Sequence, residues 1–149
     1  MIENHQRGVR VAVGPLEEFL GKTVEEIGLG PESVAVRLIG DAEMARLNER
    51  YRKKKGATDV LSFPVVADSG KPGTLSAQVR RARGEFLGDI AIAPRVARRN
   101  AKSLGRGLPE ELKVLILHGV LHLLGYDHET DRGEMERVEM RLRRKLGIA

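Results

Sequence analysis

Residues Val114–His128 read VLILHGVLHLLGYDH, and the reading of the whole chain turns on them. The stretch holds three of the four histidines, His118, His122 and His128, spaced H-x3-H and then H-x5-H. On an α-helix, positions i and i+4 share a face one turn apart. His118 and His122 can therefore aim their imidazoles at one point. Leu115, Ile116, Leu117, Leu121, Leu123 and Leu124 make the helix apolar nearly all round, which predicts that it is buried. Gly125 suits the left-handed conformation that ends helices, and the turn Gly125-Tyr126-Asp127 can swing His128 back toward the pair. Two histidines four apart on an apolar helix are compatible with ordinary core packing. A third one placed after a glycine turn favours a metal, because buried, converging imidazoles need partners. Three imidazoles that leave a fourth position to water form the pattern of a catalytic Zn(II) site rather than a closed structural one. The same ligands accept Ni and other divalent metals.

The pattern H-x3-H-x2-G-x2-H is also the spacing of the metzincin proteases, which carry Glu directly after the first histidine as general base. Here that position is Gly119. The expected site is zincin-like in its cage but lacks the peptidase's base, which points to a hydrolase of different chemistry.

HGVLHLLGYDH resembles the signature of the YbeY family, bacterial endoribonucleases of ribosomal RNA maturation. LNERYRKKKGATDVLSFP (Leu47–Pro64) and LGDIAIAP (Leu87–Pro94) are similar to two further blocks of that family, and Met135 and Glu139 match a Met and Glu four apart in its last helix. Together these blocks cover most of the chain from Leu47 onward, while the first forty or so residues match only in outline. The resemblance implies a zinc-dependent, single-strand-specific endoribonuclease with Zn(II) on His118, His122 and His128. It also implies a role in maturation of small-subunit ribosomal RNA, especially its 3′ end, and in ribosome quality control. The implied partners are ribosomal RNA, the small ribosomal subunit and its assembly factors. Within the Tyr51-Arg52 pair, Arg52 resembles the arginine that family members need for activity, and a guanidinium can grip a phosphate bidentately. With Gly119 in place of Glu, the base is a metal-bound hydroxide, Asp127 or a group of the RNA itself. Asp127 could instead anchor the turn behind a ligand. Asp89, set among small residues in GDIAIA, either orients a metal-binding histidine or caps a neighbouring loop. Two other readings compete: a zinc hydrolase acting on peptides or other small substrates, and a non-catalytic ribosome-assembly module whose metal is structural.

Composition bounds these readings. A chain of 149 residues suits one domain spanning 1–149 with a proper core. With no cysteine, neither disulfides nor a thiolate metal site is available, and a reducing cytoplasm fits. MIENHQRGVR has no apolar core of a signal peptide, and no stretch is long and apolar enough to predict a membrane span. Lys and Arg total 26 against 21 Asp and Glu, a net charge of +5 that is compatible with a nucleic-acid partner. Three Phe, two Tyr and no Trp argue against a platform of stacked bases, so binding should run through phosphates.

The rest of the chain reads as alternating elements. Val9–Val13 is expected to form a first short strand, Leu16–Ile27 a helix, and Ser33–Ile39 a half-buried strand. Asp41 should cap a helix from Ala42 to about Lys54, with Met44, Leu47 and Tyr51 on its inner side. Thr58–Val66 is a strand that Pro64 assigns to an edge. Ala67–Glu85 reads as a long loop, either a basic flap that guides substrate or plain disorder. Phe86–Ala93 is a strand, Pro94–Leu104 a helix, and the histidine helix follows. Asp131 and Glu134 suggest a capping box for a last helix with inner stripe Met135, Val138, Leu142 and Leu146. The sum is an α+β fold, a single mixed sheet of about four strands covered by about five helices.

Overall fold

A computed structural model describes residues 1–65, 86–127 and 131–148. Its strands are β1 (Ile2–Asn4), β2 (Val34–Leu38), β3 (Val60–Pro64) and β4 (Gly88–Ile92). Its helices are α1 (Val13–Ile27), α2 (Asp41–Arg52), α3 (Pro94–Leu104), α4 (Leu108–Leu123) and α5 (Glu134–Leu146). The strands form one mixed sheet in the order β1-β2-β4-β3. β1, β2 and β4 run parallel, and β3 closes one edge antiparallel to β4. The α+β expectation is met. The expected loop at Ala67–Glu85 lies outside the described residues.

The alternation of side chains divides the core into two layers. Val34, Val36, Leu38, Ile90 and Ile92 point to the face covered by α1 and α4, where Leu16, Phe19, Leu20, Ile116, Leu117 and Val120 complete the main core. Leu61 and Ala91 point the other way and meet Met44 of α2, together with Ile39, Ala93 and Val96. Strands of a parallel sheet are buried on both faces, and β4 follows that rule: Ile90, Ala91 and Ile92 are all buried.

The first strand is not Val9–Val13. It is Ile2–Asn4, paired with β2 in the register Ile2↔Val36, and Val13 already opens α1. The reason is local. The Gln6 side chain donates to the Val9 carbonyl at 2.8 Å and accepts from the Val9 N–H at 2.9 Å, so both ladder groups of Val9 are already used. A second correction concerns α2. Gly40, not Asp41, is its N-cap, and Asp41 is its first helical residue. Met44 is buried, but Tyr51 in the last turn is 57% exposed, edge-on to Phe63 of β3 and with Arg50 over its ring.

α4 ends as the sequence suggests. Gly125 has φ 99°, its N–H reaches the His122 carbonyl at 2.9 Å, and the Tyr126 N–H reaches Leu121 at 3.1 Å. This is the paired bonding of a Schellman stop. The N-cap of α5 is Gly133 rather than Asp131, so the expected capping box does not form; instead Asp131 accepts from the Gly133 and Met135 N–H groups and Glu134 from the Arg132 N–H.

Candidate metal centre

α4 sets His118 and His122 one turn apart on its one polar stripe, with their Nε2 atoms 3.1 Å from each other. Two nitrogens bound to a tetrahedral ion at about 2.0–2.1 Å would stand about 3.3 Å apart. The pair therefore fits a shared divalent ion. His118 is fixed from behind: its Nδ1 lies 2.9 Å from Glu139 Oε1 on α5, with the side chains 25% and 14% exposed. A carboxylate there holds the proton on Nδ1 and turns the Nε2 lone pair toward the site, as outer partners of metal-bound histidines commonly do. Arg143, one turn along α5, stands 3.7 Å from the other oxygen of Glu139. His128 lies outside the described residues. The chain on either side of it is held, because the Asp131 N–H reaches the Asp127 carbonyl at 3.0 Å. Asp127 itself is half-buried just past the Gly125 turn.

Gly119, between the two histidines, faces the sheet. A Cβ built there would stand 2.8 Å from Ile90 Cδ1 and 2.9 Å from its Cγ2. The glycine is thus the contact that lets α4 lie against β4, and no larger side chain fits at this position without displacing one of them. β3 adds a tether, since the Ser62 hydroxyl donates to the Gly119 carbonyl at 3.2 Å. At the helix start, Glu111 is buried, with its Oε1 3.2 Å from Arg106 Nε. Burial pushes the Glu111 carboxyl above its ordinary pKa, against the pull of Arg106. Burial likewise raises the phenol of Tyr126.

As the last residue of α2, Arg52 lines a cavity of about 580 Å³ together with Arg37, Tyr51, Ser62, Phe63 and Asp89, and neither His118 nor His122 belongs to that lining. The register explains Asp89: it pairs with Phe63 and Ala35, one residue out of phase with Ile90, and so faces away from α4. Asp89 and Arg52 line the same cavity. Ser62 joins the two regions, lining the cavity and bonding to the residue next to His118. Glu139 entered the sequence reading only as part of a motif. Its signal was its place beside the buried stripe of α5, at helical spacing from Met135. Arg37 carried no signal, because its surroundings depend on the β2–β4 register.

Comparison with known proteins agrees with this architecture. The family model described as Endoribonuclease YbeY matches residues 1–147. An Endoribonuclease YbeY of Koribacter versatilis is 49% identical over 133 residues, covering 89% of this chain and 76% of the relative. That of Solibacter usitatus is 44% identical over 133 residues, covering 89% and 78%. The solution structure of TM1509 from Thermotoga maritima superposes with a TM-score of 0.58 at 25% identity, covering 97% of this chain and 87% of that one. Among the described residues no helix is long and apolar enough to cross a membrane. By the family model over nearly its whole length and by these relatives, the chain belongs to the endoribonuclease YbeY family.

Proposed function

We propose that the chain is a metal-dependent endoribonuclease cutting single-stranded RNA, with a divalent ion, Zn(II) by preference, held by His118, His122 and His128. The observation that carries this reading is the convergence of His118 and His122, with His118 oriented by Glu139, beside an arginine-lined cavity across one edge strand. When bound, such an ion supplies Lewis-acid polarisation of a phosphoryl oxygen and a water acidic enough to deprotonate near neutrality. The protein's own part is positioning and charge. Glu139 keeps His118 in the tautomer that presents Nε2. Arg52 makes no ion pair among the described residues, so its guanidinium is available to a phosphate and to the negative charge that builds on it during cleavage. β3, the sheet edge between the two, offers a track along which an extended strand can run.

The Gly119 contact argues against the peptidase reading. That position is filled by the helix–sheet packing and has no room for the glutamate a metzincin places there. With no glutamate at this position, the base is left to Asp127, to the RNA or to the chemistry that the ion supplies when bound. In the cell we assign the substrate to ribosomal RNA, with maturation of the small-subunit 3′ end and ribosome quality control as the process, and the small subunit and its assembly factors as partners, in the cytoplasm.

The test compares wild type with His122→Ala, purified identically, for cleavage of single-stranded ribosomal RNA precursor. Loss of cutting in a folded variant is expected. Equal cutting by both proteins would remove the metal site from the chemistry. Retained RNA binding with no turnover at any metal loading would favour a binding module with a structural metal.

A further inference from the structure

The cavity beyond β3 contains a guanidinium that the fold does not use. Arg37 projects from β2 into it, and its Nε is buried without a hydrogen-bond partner. Asp89 faces the same space from β4, and among the described residues neither it nor Arg37 forms an ion pair with the other or with any neighbour. A buried charged donor left unmade is expensive and calls for an acceptor. Among the described residues none provides one, which leaves the site open to an acceptor carried by a ligand.

The lining defines what that visitor carries. Arg37 and Arg52 demand an anion, and the guanidinium fork matches a phosphate best. The Asp89 carboxylate accepts only, and so demands donors such as ribose hydroxyls or an exocyclic amine. Tyr51 and Phe63, rings 5.1 Å apart at the rim, offer apolar surface to something flat. Inorganic phosphate meets the first demand alone, whereas a nucleotide meets all three. The volume, about 580 Å³, is of the size that holds a ligand of that class. The chain's few aromatics argued against base stacking when counted, but the fold gathers two of its five Phe and Tyr at this one place.

We propose that this cavity is a nucleotide subsite. One nucleotide of single-stranded RNA would sit in it, with its phosphate on Arg37, its sugar or base donors on Asp89 and its base against Tyr51 and Phe63. The neighbouring phosphate along the strand lies with Arg52. This rests on the endoribonuclease reading and extends it: the strand is gripped across β3 from His118 and His122, so recognition is set apart from that pair by one edge strand.

The experiment measures binding without cutting. The full chain carrying His122→Ala is titrated into a fluorescein-labelled single-stranded RNA hexamer and followed by anisotropy over a range of salt. Arg37→Met and Tyr51→Ala are then added singly to that background. Loss of a charge-assisted contact should raise Kd about tenfold or more for Arg37→Met, and reduce the salt slope by about one. The melting temperature should hold or rise, because an unpaired buried donor is gone. Loss of stacking in Tyr51→Ala should raise Kd by about fivefold or more. Kd values within twofold of the parent for both variants would overturn the proposal. Should Arg37→Met melt lower than the parent, Tyr51→Ala decides alone, since its ring is mostly exposed. If the parent binds no RNA, the subsite falls, whatever the cleavage assay gives. If the parent binds and both variants weaken it while wild type never cuts, the subsite stands and the endoribonuclease reading falls.

Discussion

Replacing Gly119 by alanine adds one methyl group at a close contact between α4 and the sheet. That methyl would stand 2.8, 2.9 and 3.1 Å from Cδ1, Cγ2 and Cγ1 of Ile90. Relaxed carbon contacts lie at about 3.5–4.0 Å, so each approach is short by roughly 0.5–1 Å. Ile90 cannot easily yield. It is fully buried, and its branch at Cβ restricts χ1, so moving Cγ2 away drives Cγ1 into its neighbours. Overpacking of this kind costs about 2–3 kcal/mol at its upper end. The helix recovers about 1 kcal/mol from alanine's better propensity. The net loss is about 1–2 kcal/mol, which for a domain of this size lowers Tm by roughly 2–8 °C. Because His118 is the adjacent residue, affinity for Zn(II) should fall with stability. Thermal melts with and without metal, and a chelator competition, read both quantities. Adding Ile90→Ala removes all three contacting atoms. The double variant should therefore lose less than the sum of its parts, a coupling that identifies the contact. A Gly119→Ala protein as stable as wild type, with unchanged metal affinity, would refute the reasoning. So would tolerance of Gly119→Glu.

Two further perturbations follow from the partners of α4. Glu139→Gln keeps the shape of the side chain but removes the charge that holds the Nδ1 proton of His118, and should weaken metal binding about 10–100-fold. An unchanged affinity in competition with a chelating dye would show that His118 needs no such partner. Glu111→Gln tests the buried acid. Burial raises the folded-state pKa of Glu111 above 4.5, so the folded protein holds that proton more tightly than the unfolded chain does. The associated stability is present below the unfolded value and is lost as pH rises through the raised one. The Tm of Glu111→Gln relative to wild type should therefore climb from pH 4.5 toward neutrality, and a flat or falling difference would contradict the burial argument.

Much of the architecture could be read from one-dimensional pattern. Alternation in VAVRL and the run GDIAIAP located β2, β4 and the start of α3, and helical spacing put His118 and His122 on one face. What escaped the sequence depends on partners far away along the chain. Val9–Val13 alternates like a strand, but Gln6, three residues earlier, satisfies Val9 first. Tyr51 continues the inner stripe of α2 by spacing, yet it is mostly exposed, with its ring edge-on to Phe63 of β3. Alternation along β4 sets Asp89 on the face opposite Ile90, but its neighbours there, Arg37 and Arg52, come from β2 and α2 and are not written in the local sequence. Gly119 looked like a missing catalytic group, and the structure gives it a steric role of its own. Arg37 and Glu139 depend on tertiary pairings that no local pattern encodes.

The parallel pairing at the centre of the sheet has a kinetic consequence. Val34 meets Gly88, which is 54 positions later in the chain (88 − 34), and Ile2 meets Val36. Neither pair can form from a local hairpin, so closure of a long segment must precede any gain from the ladder. α4 is under no such constraint, because its hydrogen bonds are local and can form within about a microsecond. A chain in which this local helix forms before the sheet closes exposes a helix that is apolar on many sides until β4 receives Gly119. In such a chain the helix that carries His118 and His122 offers apolar surface through which two chains can associate. Yield on refolding should accordingly fall with protein concentration more steeply than native stability alone would suggest.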